Sequence, residues 1–487
     1  MSRMGKKQEL RRQFSLLSTI AFTCTVTAPW EFSLITAETG LLAGGPAGLF
    51  WSLVWSYIGQ TFVVLSMAEM ASMAPTAGGQ YHWVSELAPL KHQKWMSYFT
   101  GWLATLTWQT GVALCSYVVG DLAQGVIWLA SPDYVPERWH STLLIIASIF
   151  CCAMCNIFGL KQLHTAEPLF AALHFIAFII FVTVVLALAP KHSAHYVFLE
   201  LSDNGAGWPS IGPAVLVGQL SAIGTIIASD CVAHLSEEIS DAAVNVPKAM
   251  VASFLLNIPL TFGVLLTFLF CVGDIQEAIA YQGGYPFVYV IHNAVKSNGG
   301  TLAITVVLLV LMFFVAVTGL ASTSRQLWAF SRDRGFPCST WLSKVNPRMQ
   351  IPTNSVIWAC GWGVLLSFIN IGSTVAFNAV LSVGSAAMIA TYFMSIGCVT
   401  WRRFSGQKLP PSPWSLGRWG LPINCIACLY GFWSFFWCFW PTFYHVEASN
   451  FNWAPVLWLV VMIFCASYYW GWARKVYEGP VAQVKWQ

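Results

Sequence analysis

The residues able to do chemistry are few, and their positions set them apart. Within or at the edge of long apolar stretches lie Glu31, Glu38, Glu69, Asp121, Glu167, Asp230, Glu237 and Glu238, with His174 well inside another. An ionisable side chain in hydrocarbon is costly, so each marks a site by default. Glu31 and Asp230 have similar surroundings. Glu31 closes the run Thr23-Cys24-Thr25-Val26-Thr27-Ala28-Pro29-Trp30-Glu31, where Pro29 removes a backbone donor and the threonines favour an opening. Asp230 follows Gly218, Ser221, Gly224, Thr225 and Ser229, a second polar interruption. An interrupted span frees backbone groups that only a solute, an ion or water can satisfy. Interruptions at matching places of two halves point to a binding site at mid-membrane depth between inverted repeats. Half-helix N-termini favour a carboxylate, and a nearby acid favours an amine or a cation.

That chemistry assigns Thr27, Pro29, Trp30, Ser229 and Asp230 to solute binding, with the Trp30 face adding cation–π attraction for a quaternary amine. Glu31 and His174 become proton carriers, the imidazole because it titrates near neutrality. Ser322 and Thr323 offer hydroxyls to a small cation. Glu69, and Glu237 and Glu238 with Arg325, read as gate or scaffold groups on the inner side, with Lys248 as another basic partner in reach. For each of these a purely structural role, buried and hydrogen-bonded to neighbours, is the competing reading.

The elements that hold these residues follow from composition. Of 487 residues 57% are hydrophobic and 9% charged, against roughly 25% charged in a soluble domain. This excludes a water-soluble enzyme, a nucleic-acid binder and a disordered chain, and the net charge of +4 is too small to recruit nucleic acid. The length would suit several soluble domains, but the apolar runs read as one all-α polytopic bundle in a lipid bilayer. Fourteen cysteines are scattered through apolar runs as packing residues. Cys151, Cys152 and Cys155 lack a neighbouring His, so no metal site is expected, and no cofactor fingerprint occurs.

Twelve spans can be placed, at roughly 15–38, 47–71, 97–129, 141–160, 167–190, 210–235, 249–273, 301–327, 354–372, 376–400, 421–441 and 453–473. With the N-terminus inside, 21 of the 24 Lys and Arg fall in inner segments, including Arg3, Lys161 and Lys485, and only Arg138, Lys191 and Lys296 fall outside. The positive-inside rule then puts both termini in the cytoplasm. The expected organisation is an N-terminal tail (1–14), a first five-span repeat (15–190), an outer loop (191–209), a second repeat (210–400), an inner loop (401–420), two further spans (421–473) and a C-terminal tail (474–487).

Several segments together carry a resemblance. Leu42-Ala43-Gly44-Gly45-Pro46 is one, and the stretch from Ser66-Met67-Ala68-Glu69-Met70-Ala71 through Pro75-Thr76-Ala77-Gly78-Gly79-Gln80-Tyr81-His82-Trp83-Val84 is another. Ser236-Glu237-Glu238-Ile239 with Asn245-Val246-Pro247-Lys248-Ala249-Met250, and Ser324-Arg325-Gln326-Leu327-Trp328-Ala329-Phe330-Ser331-Arg332-Asp333-Arg334-Gly335-Phe336-Pro337, complete the set. In this order they resemble fungal permeases of the amino acid/choline branch of the amino acid–polyamine–organocation superfamily. The resemblance implies a LeuT-like fold of five plus five inverted helices with two added. It also implies proton-coupled uptake of an amino acid, γ-aminobutyrate or choline by alternating access, at the plasma membrane or otherwise the vacuolar membrane. The unwound segments would fall at Thr25 to Trp30 and at Ile227 to Ala233. Transport of a specialised metabolite such as an alkaloid, or of a polyamine, suits the same pocket chemistry. A nutrient sensor that binds without translocating is a third reading, which the short flanks 1–14 and 474–487 disfavour.

Overall fold

Apolar stretches of this length can satisfy their backbone in lipid only by winding into helices, and the computed structural model is helical almost throughout. It describes residues 4–131, 133–159, 163–448 and 450–484; Arg3, Lys161 and Lys485 lie outside the described residues. The first expected span is three short helices in series, α1 (Leu16–Thr27), α2 (Pro29–Ile35) and α3 (Ala37–Leu42). Then come α4 (Gly45–Met73), a short α5 (Gln80–Leu87), the long α6 (Gln93–Ala130), α7 (Arg138–Met154) and α8 (Leu163–Leu188), with α9 (Ala194–Leu199) in the following connection. The sixth span is again in pieces, α10 (Ile211–Gly218), α11 (Leu220–Ile226) and α12 (Cys231–His234). After α13 (Ala242–Cys271), the small helices α14 (Ile275–Ile279) and α15 (Pro286–Val295) lead into α16 (Asn298–Arg332). The chain continues through α17 (Ser339–Leu342), α18 (Thr353–Gly372) and α19 (Thr374–Phe404) to the last pair, α20 (Gly420–Trp437) and α21 (Ala454–Tyr468). Among the described residues, eleven helical segments are long and apolar enough to cross a membrane. The first span is not among them, because its pieces are each too short; it takes the place of the twelfth.

The helix α6 is the central column, packed against α16, α19 and α7, while α1 packs against α8, α13 and α16. Leu429 and Phe432 of α20 and Leu459 and Val460 of α21 point outward and exposed, as side chains facing lipid would. All fourteen cysteines are free thiols.

Both interruptions centre on an alanine in left-handed backbone, Ala28 at φ +35° and Ala228 at φ +74°. For a residue with a Cβ that conformation costs about 1–2 kcal/mol, so the surroundings must enforce it. In α1 the cause is local. Thr23 donates to the Thr19 carbonyl at 2.7 Å and Thr27 to the Thr23 carbonyl at 2.8 Å, a back-bonding that bends helices, and Pro29 then starts α2 where its missing N–H is harmless. Both breaks fall inside the windows the resemblance implies.

On the face away from the N-terminus, β1 (Ala43–Gly44) pairs antiparallel with β2 (Ser202–Asp203). This accounts for the Gly44-Gly45 pair. Both have positive φ, and a Cβ on Gly45 would collide with the Ser202 hydroxyl. Asp203 then accepts from the N–H groups of Gly205, Ala206, Gly207 and Trp208 at 2.7–3.1 Å. Burial pushes this carboxyl up, but the four backbone donors outweigh it and hold it below its ordinary value.

Candidate functional site

A cavity of about 630 Å³ begins at the two breaks. Its floor is Thr27 at the end of α1 with Gly224, Ile227 and Ala228 of the sixth span. The walls come from Thr107, Trp108 and Thr110 of α6, Gly319 and Thr323 of α16, and Asn378, Ser382 and Ser385 of α19; Trp440, Phe443, Phe451 and Trp453 of the α20–α21 connection form the far end. No Asp, Glu, Lys, Arg or His lines it among the described residues. Three of the hydroxyls give their protons to carbonyls: Thr27 to Thr23 at 2.8 Å, Thr107 to Gly384 at 3.0 Å, and Thr323 to Trp108 at 3.1 Å and Gly319 at 2.9 Å. What these groups can offer a guest is oxygen lone pairs, which suit an N–H donor such as an ammonium.

Of the residues assigned to solute binding from sequence, Thr27 lines this cavity, as does Thr323 from the cation set. Pro29 and Ser229 lie behind it, around a water-sized void of about 10 Å³ that Thr27, Tyr57 and Ser253 also line. Asp230 is buried and does not line the cavity. Its Oδ1 accepts from the Tyr392 hydroxyl at 2.5 Å; its Oδ2 accepts from Gln80 at 2.6 Å, from the Trp108 indole at 3.3 Å and from His234 Nε2 at 3.3 Å. His234 Nδ1 faces the Ala77 carbonyl at 2.9 Å. Each ring nitrogen of His234 thus faces an oxygen, which ties the Asp230 side chain to the segment around Ala77. Tyr392 also accepts from the Ala228 N–H at 3.2 Å, so one phenol from α19 holds both the strained alanine and the carboxylate.

Trp30 and Glu31 turn the other way, toward α8. His174 Nδ1 is 2.6 Å from Glu31 Oε1 and 3.0 Å from the Trp30 indole nitrogen. Asn257 fixes the tautomer: its amide nitrogen donates to the Ser253 carbonyl at 3.0 Å, which leaves its oxygen facing His174 Nε2 at 3.2 Å. Nε2 therefore carries hydrogen. Nδ1 accepts from the Trp30 indole N–H, so the further proton that the 2.6 Å contact needs is carried by Glu31 and shared with Nδ1. Ser322 donates to the Cys231 carbonyl at 3.2 Å, tying α16 to the start of α12.

The amino acid permease family model matches residues 14–464. The chain belongs to this family. A Macrophomina phaseolina protein named as an amino acid/polyamine transporter is 30% identical over 436 residues, covering 89% of this chain and 96% of that one. Amino-acid permease BAT1 of Arabidopsis thaliana is 27% identical, covering 99% of this chain and 96% of its own length. The choline transporter of Saccharomyces cerevisiae is 24% identical, covering 92% of this chain and 79% of its own. The protein is thus a multi-pass membrane permease of the amino acid–polyamine–organocation superfamily, a transporter and not an enzyme.

In this permease an N-terminal strap, residues 4–14, packs across the end of α16 and the segment after α12. Lys6 reaches both oxygens of Asp333 at 2.6 and 2.7 Å, joined by the Tyr81 hydroxyl at 2.9 Å. Burial draws the Lys6 ammonium down from its ordinary value against the pull of Asp333. Gln8 donates to the Glu237 carbonyl at 2.7 Å, and Phe14 bridges Ile239. The gate acids meet cations here: Glu238 with Arg325 at 2.7 Å, and Glu237 with Arg332 through two contacts at 2.6 and 3.0 Å. Lys248 is exposed. Glu69 accepts from Arg403 at 2.6 Å, from Leu416 N–H at 2.9 Å and from Ser415 at 3.1 Å, which binds the end of α4 to the loop after α19. Sequence reasoning missed the contributions of α6 and α19. Their signal was a polar stripe at helical spacing, Thr107, Thr110 and Gly111 on one helix and Asn378, Ser382 and Ser385 on the other.

Proposed function

We propose that this permease imports a small amine-bearing solute, such as an amino acid, γ-aminobutyrate or choline, by proton symport with alternating access. The cavity carries the reading: it starts at two helix breaks, holds no charged side chain among the described residues, and presents hydroxyl lone pairs and aromatic rings. A guest with an ammonium finds acceptors there without a competing fixed charge, and the Trp108 and Phe451 rings add cation–π attraction. Thr27, Thr107 and Thr323 are the contact residues in this reading. Asp230 acts from behind Trp108 as a positioning residue, and Pro29 and Ser229 shape the breaks. Glu31 and His174 carry the coupling proton, with Trp30 orienting the imidazole. The two five-span groups, with cytoplasmic termini and the strap on the inner side, would rock about the breaks. In this reading the strap and the ion pairs close the inner side and the cavity is reached from outside.

Radiolabelled uptake in a permease-deficient yeast tests this across amino acids, γ-aminobutyrate, choline and a polyamine, with and without a protonophore. Concentrative uptake of an amine that collapses with protonophore is expected. Uptake that survives protonophore and needs sodium would overturn the coupling, and uptake confined to a polyamine or an alkaloid would favour the specialised-metabolite reading suggested by the first relative's name.

A further inference from the structure

Glu167, near the start of α8, is 0% exposed, yet neither of its oxygens has a hydrogen-bond partner. No other carboxyl among the described residues has both oxygens so placed. An ionised carboxylate without donors is strongly disfavoured, so the site favours the neutral acid. Its polar neighbour on α1 makes the same demand. The Thr25 hydroxyl lies beside it but gives its own proton to the Ala21 carbonyl at 3.0 Å. Thr25 can accept from Glu167 and cannot donate to it, so a hydrogen bond between them exists only when Glu167 carries the proton. The Cys231 thiol at the start of α12 is within electrostatic reach of it, and His164 is one turn earlier on its own helix. No charged neighbour acts on it from the packed helices α1, α13, α15 and α16 among the described residues. One carboxyl, one hydroxyl and one thiol are too few for a sodium or calcium ion, which takes several oxygens; they suffice for a proton.

Glu167 and His174 are seven residues apart on α8, on one face and about 10 Å apart along the axis. Both face the first span, Glu167 before the break at Ala28 and His174 after it. The His164 ring packs against Phe14 of the strap at 6.3 Å, which puts Glu167 on the strap side. We propose that Glu167 is a second protonation site of the transport cycle, loaded in this conformation and emptied toward the strap face when α1 moves away from α8. This rests on the proton-symport reading and adds a carrier on the other side of the break. The O–H bond of the carboxyl breaks, the proton passes to water on the strap face, and the carboxylate left behind takes up one proton before the next cycle. One proton enters and one leaves.

The test uses the purified full chain in proteoliposomes with an imposed proton gradient, comparing wild type, Glu167→Gln and Glu167→Asp. Radiolabelled γ-aminobutyrate, choline and L-alanine are run in parallel as probes. Glu167→Gln copies the neutral acid, so solute exchange without a gradient stays within about threefold of wild type. Gradient-driven accumulation is lost, its dependence between about pH 5 and 8 flattens, and Glu167→Asp restores both. Accumulation in Glu167→Gln with the wild-type pH profile overturns the proposal, as does loss of exchange in a protein that unfolds like wild type. If wild type itself shows no proton-driven accumulation, the symport reading fails. Glu167 is then judged by thermal unfolding: wild type loses stability as pH rises and Glu167→Gln does not, whereas parallel curves overturn the proposal.

Discussion

Replacing Asp230 by Asn separates a carboxylate that binds the substrate from one that holds the break. The structure gives Asp230 four internal donors and no access to the cavity. In Asp230→Asn the amide oxygen can still accept from Gln80 and Trp108, but an NH2 replaces the oxygen that accepted from Tyr392. Losing one hydrogen bond to a charged acceptor costs about 1.5–3 kcal/mol. His234 also loses the partner it has on the Oδ2 side, which adds to this. The sum is about 2–3 kcal/mol, roughly 30- to 150-fold in the equilibrium that holds the break. That loss falls on the protein and not on one class of guest, so transport of every substrate drops together and the rank order is kept. Tyr392→Phe should match it, and the double variant should cost less than the sum, with a coupling of about 1.5 kcal/mol or more. The assay is competition of labelled uptake by amine substrates and by neutral isosteres lacking the ammonium. If Asp230→Asn weakens the amines by about 100-fold or more relative to their neutral isosteres, as removal of one partner of a buried ion pair would, the carboxylate contacts the guest and the reasoning fails.

Thr27→Val keeps shape but removes a lone-pair acceptor from the cavity floor; a rise in KM of roughly tenfold is expected for amines, about 1.5 kcal/mol, with no change for a neutral isostere. Asp333→Asn takes the counter-charge from buried Lys6 and should free the strap, read as faster hydrogen exchange at residues 6–14, while an unchanged rate would show that Gln8 and Phe14 suffice. Asp203 has its value held low in the folded chain, so what it contributes is present above the unfolded value near 3.9 and is lost only as pH falls through the lower folded one. Protection of the amides of Gly205 to Trp208 relative to their intrinsic exchange should therefore persist from about pH 8 to 5, whereas Asp203→Asn should lower it at neutral pH.

The breaks were legible because their causes are local: Pro29, threonines that bond back to the preceding turn, and glycines in the sixth span. The acids were legible as anomalies for the same reason, since one residue type in an apolar run is visible without a partner. What they face was not. Asp230 is satisfied by Gln80, Trp108 and Tyr392, which are 150, 122 and 162 residues away, and no periodicity within one helix reports such a meeting. Matching Glu237 to Arg332 over other basic residues likewise depends on how the end of α16 approaches the segment after α12. The walls from α6 and α19 stayed hidden because Thr and Ser in a membrane helix bond to their own backbone, so a stripe of them reads as packing until a cavity lies beside it.

The low charge content gains its meaning from this arrangement. The buried acids and bases described at the two breaks and the strap are paired with one another, shared through a proton, or kept neutral, and none faces the cavity. A fixed carboxylate in the cavity would bind an ammonium tightly in a low-dielectric site and would have to release it every cycle, and when the site is empty it would stand alone at a cost of several kcal/mol. Hydroxyl lone pairs and ring faces hold the same guest more weakly and cost little when empty, as alternation between loaded and unloaded states requires. The charge needed for coupling is then carried where a proton can neutralise it, on Glu31, His174 and Glu167 along the seam between the first span and α8. That division predicts that neutralising a seam residue changes accumulation without changing which solutes compete, whereas cavity substitutions change competition without uncoupling. A single variant in the seam that altered both would show that guest and proton share one site.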